Sequence, residues 1–351
     1  MRPAARNLLH AAAKGLGLLE RLRGMGRGPL VYFYHGVEAG PVDPDLAGLQ
    51  MPLARFERQV DFLRKNLEII SLDELRAGLD EGRGLGPHQA LITFDDGFAN
   101  LAETAGPLLA GWGLPFAVFV NTRAVEERER IPTYYLRALL ALVDLPELDL
   151  PSLGRRLPLN DQNARRAAGQ GLTALLKSAP QARVRLLLDD LRAALPEERW
   201  RELDARHRSF EPLTWGQARA LAAMGGIIGS HCHEHVILHR DQPREEIAFQ
   251  LARSQELIRA HLGSCDYLCY PNGRISDACP AARAEAARLG YRLAFTTVAG
   301  EVRKGLDPLL LPRVTAPAER DGTQRELELQ ISRRLGVNRE YERALATLSE
   351  R

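Results

Sequence analysis

Cysteine is scarce in this chain, and its placement rules out the usual uses. Cys232, Cys265, Cys269 and Cys279 lie in one stretch with no CxxC spacing. That argues against both a structural zinc knuckle and a disulfide framework. Reduced thiols serving as small buried fillers are the expectation; one disulfide in an oxidising compartment is the alternative. A charge excess is also missing. The chain has 47 basic and 45 acidic residues, a formal net charge of +2, whereas a nucleic-acid binder would carry a strong basic excess. No apolar run reaches the roughly 18 residues of a membrane-spanning helix, and no internal repeat is visible. What is left is an ordinary globular composition, 45% hydrophobic and 26% charged over 351 residues. That length fits one large α/β domain, or a domain carrying an insertion.

The first 28 residues do not read as a signal peptide, because His10, Lys14, Glu20 and Arg21 break the apolar stretch. They do read as a basic amphipathic helix. Leu8, Leu9, Ala12, Leu16 and Leu19 recur at helical spacing, with Arg6, Lys14 and Arg21 at polar positions. Such a helix either packs on its own domain or lies on an anionic membrane surface. A cytoplasmic protein, with peripheral contact to the inner membrane as one option, is the expectation; export stays open.

Beyond this helix the pattern alternates. PLVYFY (29–34), LITF (91–94) and FAVFV (116–120) are short apolar runs that read as buried strands. Amphipathic helices fall between them, one opened by a capping box at Ser71 and Glu74. From about 122 to 212 the pattern turns helical and charge-rich, punctuated by Pro158, Pro180 and Pro196. This segment reads as a helical insertion that forms a lid, a groove wall or mere padding. Alternation then resumes, with strands expected at Ile227–Gly229, Tyr267–Tyr270 and Leu293–Thr297 and a last apolar segment at Leu309–Val314. The expected domain plan is therefore an N-terminal helix over 1–28, a barrel over 29–318 and a polar helical tail over 319–351. About seven β-segments with intervening helices predict a closed or nearly closed α/β barrel, a distorted (β/α)7-type fold, with chemistry at the C-terminal strand ends.

The polar clusters obey that rule. Asp95 and Asp96 end the LITF strand and are followed by Gly97; His231, His233 and His235 follow the Ile227–Gly229 strand; His35 ends the first strand. Two adjacent carboxylates at a buried strand tip repel each other unless a cation or proton intervenes. Carboxylate plus imidazole suits Zn²⁺ or a similar divalent ion, Co²⁺ and Ni²⁺ included. His231 and His235, four apart, would face the same way on one helical turn. With one carboxylate they make a His₂Asp site, and the other carboxylate is left as a general base. The acid that protonates a leaving amine would be a histidine of raised pKa; His35 is the one histidine on another strand tip. His233 is expected to point away from such a site, and His239 to lie at the surface or a helix start. Trp112 and Trp215 read as packing.

TFDDG, GSHxxxH, YPNG and LPR together resemble the polysaccharide deacetylases of the NodB-homology group, carbohydrate esterase family 4. YHGV at 34–37 resembles the start of the branch that deacetylates poly-N-acetylglucosamine-type polymers, in which the barrel is circularly permuted and an N-terminal histidine supplies the acid. The resemblance implies the NodB-type barrel and assigns Asp95 as base, Asp96, His231 and His235 as metal ligands, and His35 as acid. It also implies an oxyanion contact from the backbone N–H of Asn272. Tyr270 is a candidate for the acetyl pocket or for packing. Two positions depart from the family. Cys232 stands where Ser or Thr is usual, and Cys269 stands where many members have an arginine that orients the base; Arg313 is the candidate replacement. The implied activity is metal-dependent removal of acetyl groups from N-acetylated sugars. An O-acetyl esterase and a non-catalytic carbohydrate-binding relative are the alternatives.

Overall fold

A computed structural model describes residue 16 and residues 26–40, 49–317 and 334–349. The helix expected over 1–28 lies almost wholly outside the described residues. The first half of the barrel comprises β1 (Leu30–Tyr34), β2 (Gly36–Glu38), β3 (Gln50–Pro52), α1 (Leu53–Asn66), β4 (Glu68–Ile69), α2 (Leu72–Glu81), β5 (Gln89–Phe94), α3 (Ala105–Gly111) and β6 (Phe116–Val120). The inserted region holds α4 (Thr122–Glu127), α5 (Pro132–Ala141), β7 (Glu147–Leu150), β8 (Arg155–Pro158), α6 (Gln162–Ser178), α7 (Gln181–Ala193) and α8 (Glu197–Arg206). The second half runs through α9 (Trp215–Ala223), β9 (Gly226–Ser230), α10 (Arg244–Leu262), β10 (Tyr267–Cys269), α11 (Pro280–Arg288), β11 (Leu293–Phe295), β12 (Val314–Thr315) and α12 (Arg334–Ser349).

The main sheet has the order β11-β10-β9-β6-β5-β1-β12, with β4 beside the start of β5. Its strand pairs are parallel throughout. Leu311, just before β12, bridges back to Phe295 of β11, so the sheet curls round onto itself. This is the distorted α/β barrel the alternation predicted. The crossover helices are well specified locally: Ser71 and Glu74 form the expected capping box at α2, and Thr214 and Gln217 form a second at α9.

Strand parity sorts the side chains. Leu30, Tyr32 and Tyr34 of β1 face the helical layer with Ala90, Ile92 and Phe94 of β5. Val31, Leu91, Ala117, Phe119, Cys269 and Phe295 fill the barrel interior. Both faces are buried, which is why these strands read as continuous apolar runs and not as alternating ones.

The insertion differs from the all-helical expectation in one respect. Residues 147–158 form an antiparallel hairpin, with Leu148 paired to Leu157. Its first strand, Glu-Leu-Asp-Leu, buries alternate residues, a period of two that signals a half-buried strand. The insertion carries its own apolar cluster, including Tyr134, Leu139, Leu172, Leu191 and Phe210. It is a packed layer on one edge of the barrel mouth. At the other end of the chain, α12 returns to the barrel: Tyr341 is buried and donates to the Leu310 carbonyl, while Asn338 donates to Glu301 over 2.6 Å.

Candidate active site

Parity also places the two aspartates. Leu91, Thr93 and Asp95 share the inward face of β5, so Asp95 enters the barrel interior. There it meets Arg313, which is fully buried. The guanidinium grips Asp95 in a fork, Nη1 to Oδ1 at 2.8 Å and Nη2 to Oδ2 at 2.6 Å. The same side chain donates to the Thr296 carbonyl at 2.9 Å and to Thr93 Oγ1 at 3.2 Å, and it stacks 4.5 Å from the Phe33 ring. Cys269 is more than a filler here: its thiol lies 2.9 Å from Arg313 Nη2 and 3.6 Å from Asp95 Oδ2. All four cysteines are buried and unpaired.

Asp96 is turned back toward the mouth by a left-handed backbone, φ 69°, followed by Gly97 at φ 66°. Its Oδ1 lies 3.5 Å from His231 Nε2 and 3.2 Å from His235 Nε2. The two histidines do come together, but not on a helical turn as their spacing suggested. They sit on an irregular loop in which Cys232 (φ 64°) and His235 (φ 55°) are both left-handed. A non-glycine residue in that region costs about 1 kcal/mol or more, so the surroundings must enforce it. They do: the Cys232 and His233 carbonyls accept from Thr122 and Arg123 N–H at the start of α4. The Asn121 amide, oriented to satisfy both partners, donates to the His233 carbonyl at 2.8 Å and accepts from His235 N–H at 2.6 Å. His233 itself points away, toward Thr122 Oγ1 at 2.9 Å. His239 is buried beside Gln242 and is not a surface residue.

Asp96, His231 and His235 offer three ligand atoms within 4.8 Å of one another. His231 Nδ1 is 2.7 Å from the Cys269 carbonyl. A carbonyl only accepts, so Nδ1 carries a proton, and Nε2 on the Asp96 side is the nitrogen that offers its lone pair once it gives up its own proton. That is the tautomer a metal ligand needs. A second grouping, Asp95, His231 and Cys269, also lies within 4.8 Å. There both Asp95 oxygens are already taken by Arg313, so the first grouping fits a cation far better.

His35 follows β1 and lines the same cleft, which encloses about 360 Å³. Asn272 also lines it, with left-handed backbone (φ 61°). The Asn272 side chain is held by Lys177 at 2.8 Å and by Asp277 at 2.6 Å. Tyr270 is not part of the cleft. It is buried in the helical layer and its hydroxyl donates to the Leu309 carbonyl at 3.0 Å, so packing is its role. Trp112 lies under Arg64 and Trp215 stacks on His261. The far wall of the cleft comes from the insertion, through Ile131, Arg137, Leu176 and Lys177. Sequence reasoning singled out none of these four, because their signal is tertiary.

Burial alone would push both aspartates up. The Arg313 charge and hydrogen bonds instead hold Asp95 below the usual carboxylate value. The facing His231 and His235 rings hold Asp96 well below it. Burial works against the charged form of His231, but the Cys269 and Asp96 side chains lift it well above an ordinary histidine. His35 departs from expectation. Burial lowers its pKa, and this outweighs the pull of Asp96 and Asp95, where an acid of raised pKa was predicted.

Comparison with known proteins bears directly on this site. The model of the family described as polysaccharide deacetylase matches residues 83–294. The chain belongs to the polysaccharide deacetylase family. It is thus a hydrolase of amide bonds, and the matched span includes the Asp95–Asp96 turn, the histidine loop and the Asn272 turn. Among solved structures, this deacetylase is similar to Streptococcus pyogenes deacetylase PplD in complex with acetate (15% identity, TM-score 0.57, covering 88% of this chain and 99% of that one). It is also similar to IcaB from Ammonifex degensii (19% identity, TM-score 0.56, covering 88% and 98%). A de-N-acetylase from Aggregatibacter actinomycetemcomitans shows the same likeness (13% identity, TM-score 0.53, covering 86% and 99%). At these identities the likeness is one of fold. No curated protein matches the chain.

Proposed function

We propose that this deacetylase is metal-dependent and removes acetyl groups from N-acetylated sugars of a polysaccharide or its precursor. The observation that carries the reading is the division of labour between adjacent carboxylates. Asp96 shares a pocket with two imidazole nitrogens, while Asp95, one residue away, is locked onto Arg313. In this reading Asp96, His231 and His235 hold a divalent cation, with Zn²⁺ the first choice. Such a cation supplies Lewis acidity, making a carbonyl more electrophilic and a water easier to deprotonate.

The protein's own groups do the rest. Asp95 stays ionised in spite of full burial because Arg313 neutralises it, and it takes the proton of the attacking water. The Asn272 N–H faces the oxygen on which negative charge develops. As the C–N bond breaks, His35 delivers a proton to the sugar nitrogen, leaving acetate and a free amine. A lowered pKa makes its imidazolium the stronger donor once it is formed. The test is acetate release from N-acetylated and O-acetylated glycans, each with and without chelator. Chelator-sensitive release from the N-acetyl substrate supports the proposal. Release confined to O-acetyl esters would make the chain an esterase, and release from neither would leave a binding protein.

A further inference from the structure

Two guanidinium groups and an ammonium stand in or beside the cleft, and among the described residues none of them forms an ion pair. Arg137 comes from α5, Lys177 from the last turn of α6, and Arg274 from the loop after the Asn272 turn. Among the described residues, neither Arg137 nor Arg274 has a carboxylate partner, and Lys177 bonds only the neutral Asn272 amide, at 2.8 Å. Nearby acids are engaged elsewhere: Asp95 by Arg313, Asp96 by the two histidines, and Glu234 by Arg123 and Arg185. Asp277 is taken by Asn272, by the Arg274 backbone and by Ser276. Arg137 and Lys177 line the cleft, and Lys177 and Arg274 line an open groove of about 850 Å³ that continues along α6. Burial disfavours the charge on Arg137 and on Lys177, and Arg274 and Arg137 add repulsion at Lys177; the attraction of Asp96 for Arg137 and of Asp277 for Lys177 offsets this only in part.

Partly desolvated cations that face a cleft and are only partly compensated are where an anion gains most, because the low-dielectric wall strengthens each charge-assisted hydrogen bond. We propose that Arg137, Lys177 and Arg274 form a subsite for a phosphate carried by the substrate, so that the preferred substrate is a phosphorylated N-acetyl sugar. Three cationic donors from three different elements suit a tetrahedral oxyanion, whereas a flat carboxylate is satisfied by one guanidinium fork. The subsite rests on the deacetylase reading for its substrate, and it places the phosphate beside the reacting acetamide.

Calorimetric titration tests this without relying on turnover. The ligands are methyl N-acetylglucosaminide, N-acetylglucosamine 1-phosphate, a decyl-diphosphate-linked N-acetylglucosamine in detergent, and a glucuronate-bearing analogue. At least one phosphorylated ligand should bind about ten-fold or more tightly than the neutral glycoside. The tighter of the two distinguishes a free sugar phosphate from a lipid-linked one. The preference should fall to about one in Arg137→Gln and recover in part in Arg137→Lys. Arg137 has no hydrogen-bond partner among the described residues, so the substitution strands nothing, and a thermal melt checks the fold. Equal binding of neutral and phosphorylated ligands, a preference that survives in Arg137→Gln, or an equal gain from glucuronate would each overturn the subsite. Failure to release acetate from any glycan would count against hydrolysis alone, since calorimetry reads binding.

Discussion

Replacing Arg313 with alanine probes the barrel interior at its most charged point. Arg313 is wholly buried and makes a two-pronged bond to Asp95. Removing one partner of a buried pair leaves an uncompensated charge and costs about 3–5 kcal/mol. Alternatively the abandoned carboxylate takes up a proton, because the burial that already pushes Asp95 upward is then unopposed. Protonation removes the proposed base at neutral pH, while a carboxylate that stays ionised has lost the fork that holds it in place. A general base contributes about 10²–10⁴-fold to rate, so Arg313→Ala should lose at least ten-fold of that in acetate release, and the acid limb of its pH–rate profile should move to higher pH. The double variant Arg313→Ala/Asp95→Asn separates the causes. With the charge gone from both sides it should recover a large part of the lost stability, read as the urea midpoint, and none of the activity. A single variant that keeps its rate within a few-fold, or a double variant less stable than Arg313→Ala, would refute the reasoning.

His35→Gln should keep the fold and bound metal yet lose about 10²-fold or more in acetate release; a rate within three-fold of wild type would remove His35 from the proton path. Metal binding should depend on pH with a definite sign. His231 holds its proton to higher pH than an ordinary histidine when no cation is present, and a cation needs the Nε2 lone pair. Binding therefore expels a proton, and apparent affinity should weaken about ten-fold for each unit the pH falls while His231 stays protonated. Competition with a chromophoric chelator between pH 6 and 8 measures this, and a flat profile would contradict it.

The barrel was largely legible in the sequence because its strands are buried on both faces. Runs such as Phe116–Val120 announce themselves, and the capping boxes at Ser71 and Thr214 mark helix starts. The principal polar residues were legible because charge at the tip of an apolar run has few structural uses. Arg313 was found through the family resemblance: Cys269 stands where many members have an arginine that orients the base, and the LPR segment offers a replacement. What escaped was set by tertiary context. Four-residue spacing suggested a helical turn for His231 and His235, yet carbonyl contacts to α4 and the Asn121 amide impose left-handed backbone there instead. Tyr270 adjoins the Asn272 turn in sequence but points to the opposite face, toward Leu309. Arg137 and Lys177 gave no local signal, since they reach the cleft only once the insertion folds over the barrel mouth.

Metal content measured on three purified proteins bears most directly on the joint grip of Asp96, His231 and His235. The wild-type chain and Asp95→Asn should each carry close to one divalent ion per chain, and Asp96→Ala should carry almost none. Equal occupancy in Asp96→Ala, or loss of the ion from Asp95→Asn with Asp96 intact, would contradict the assignment of the two carboxylates.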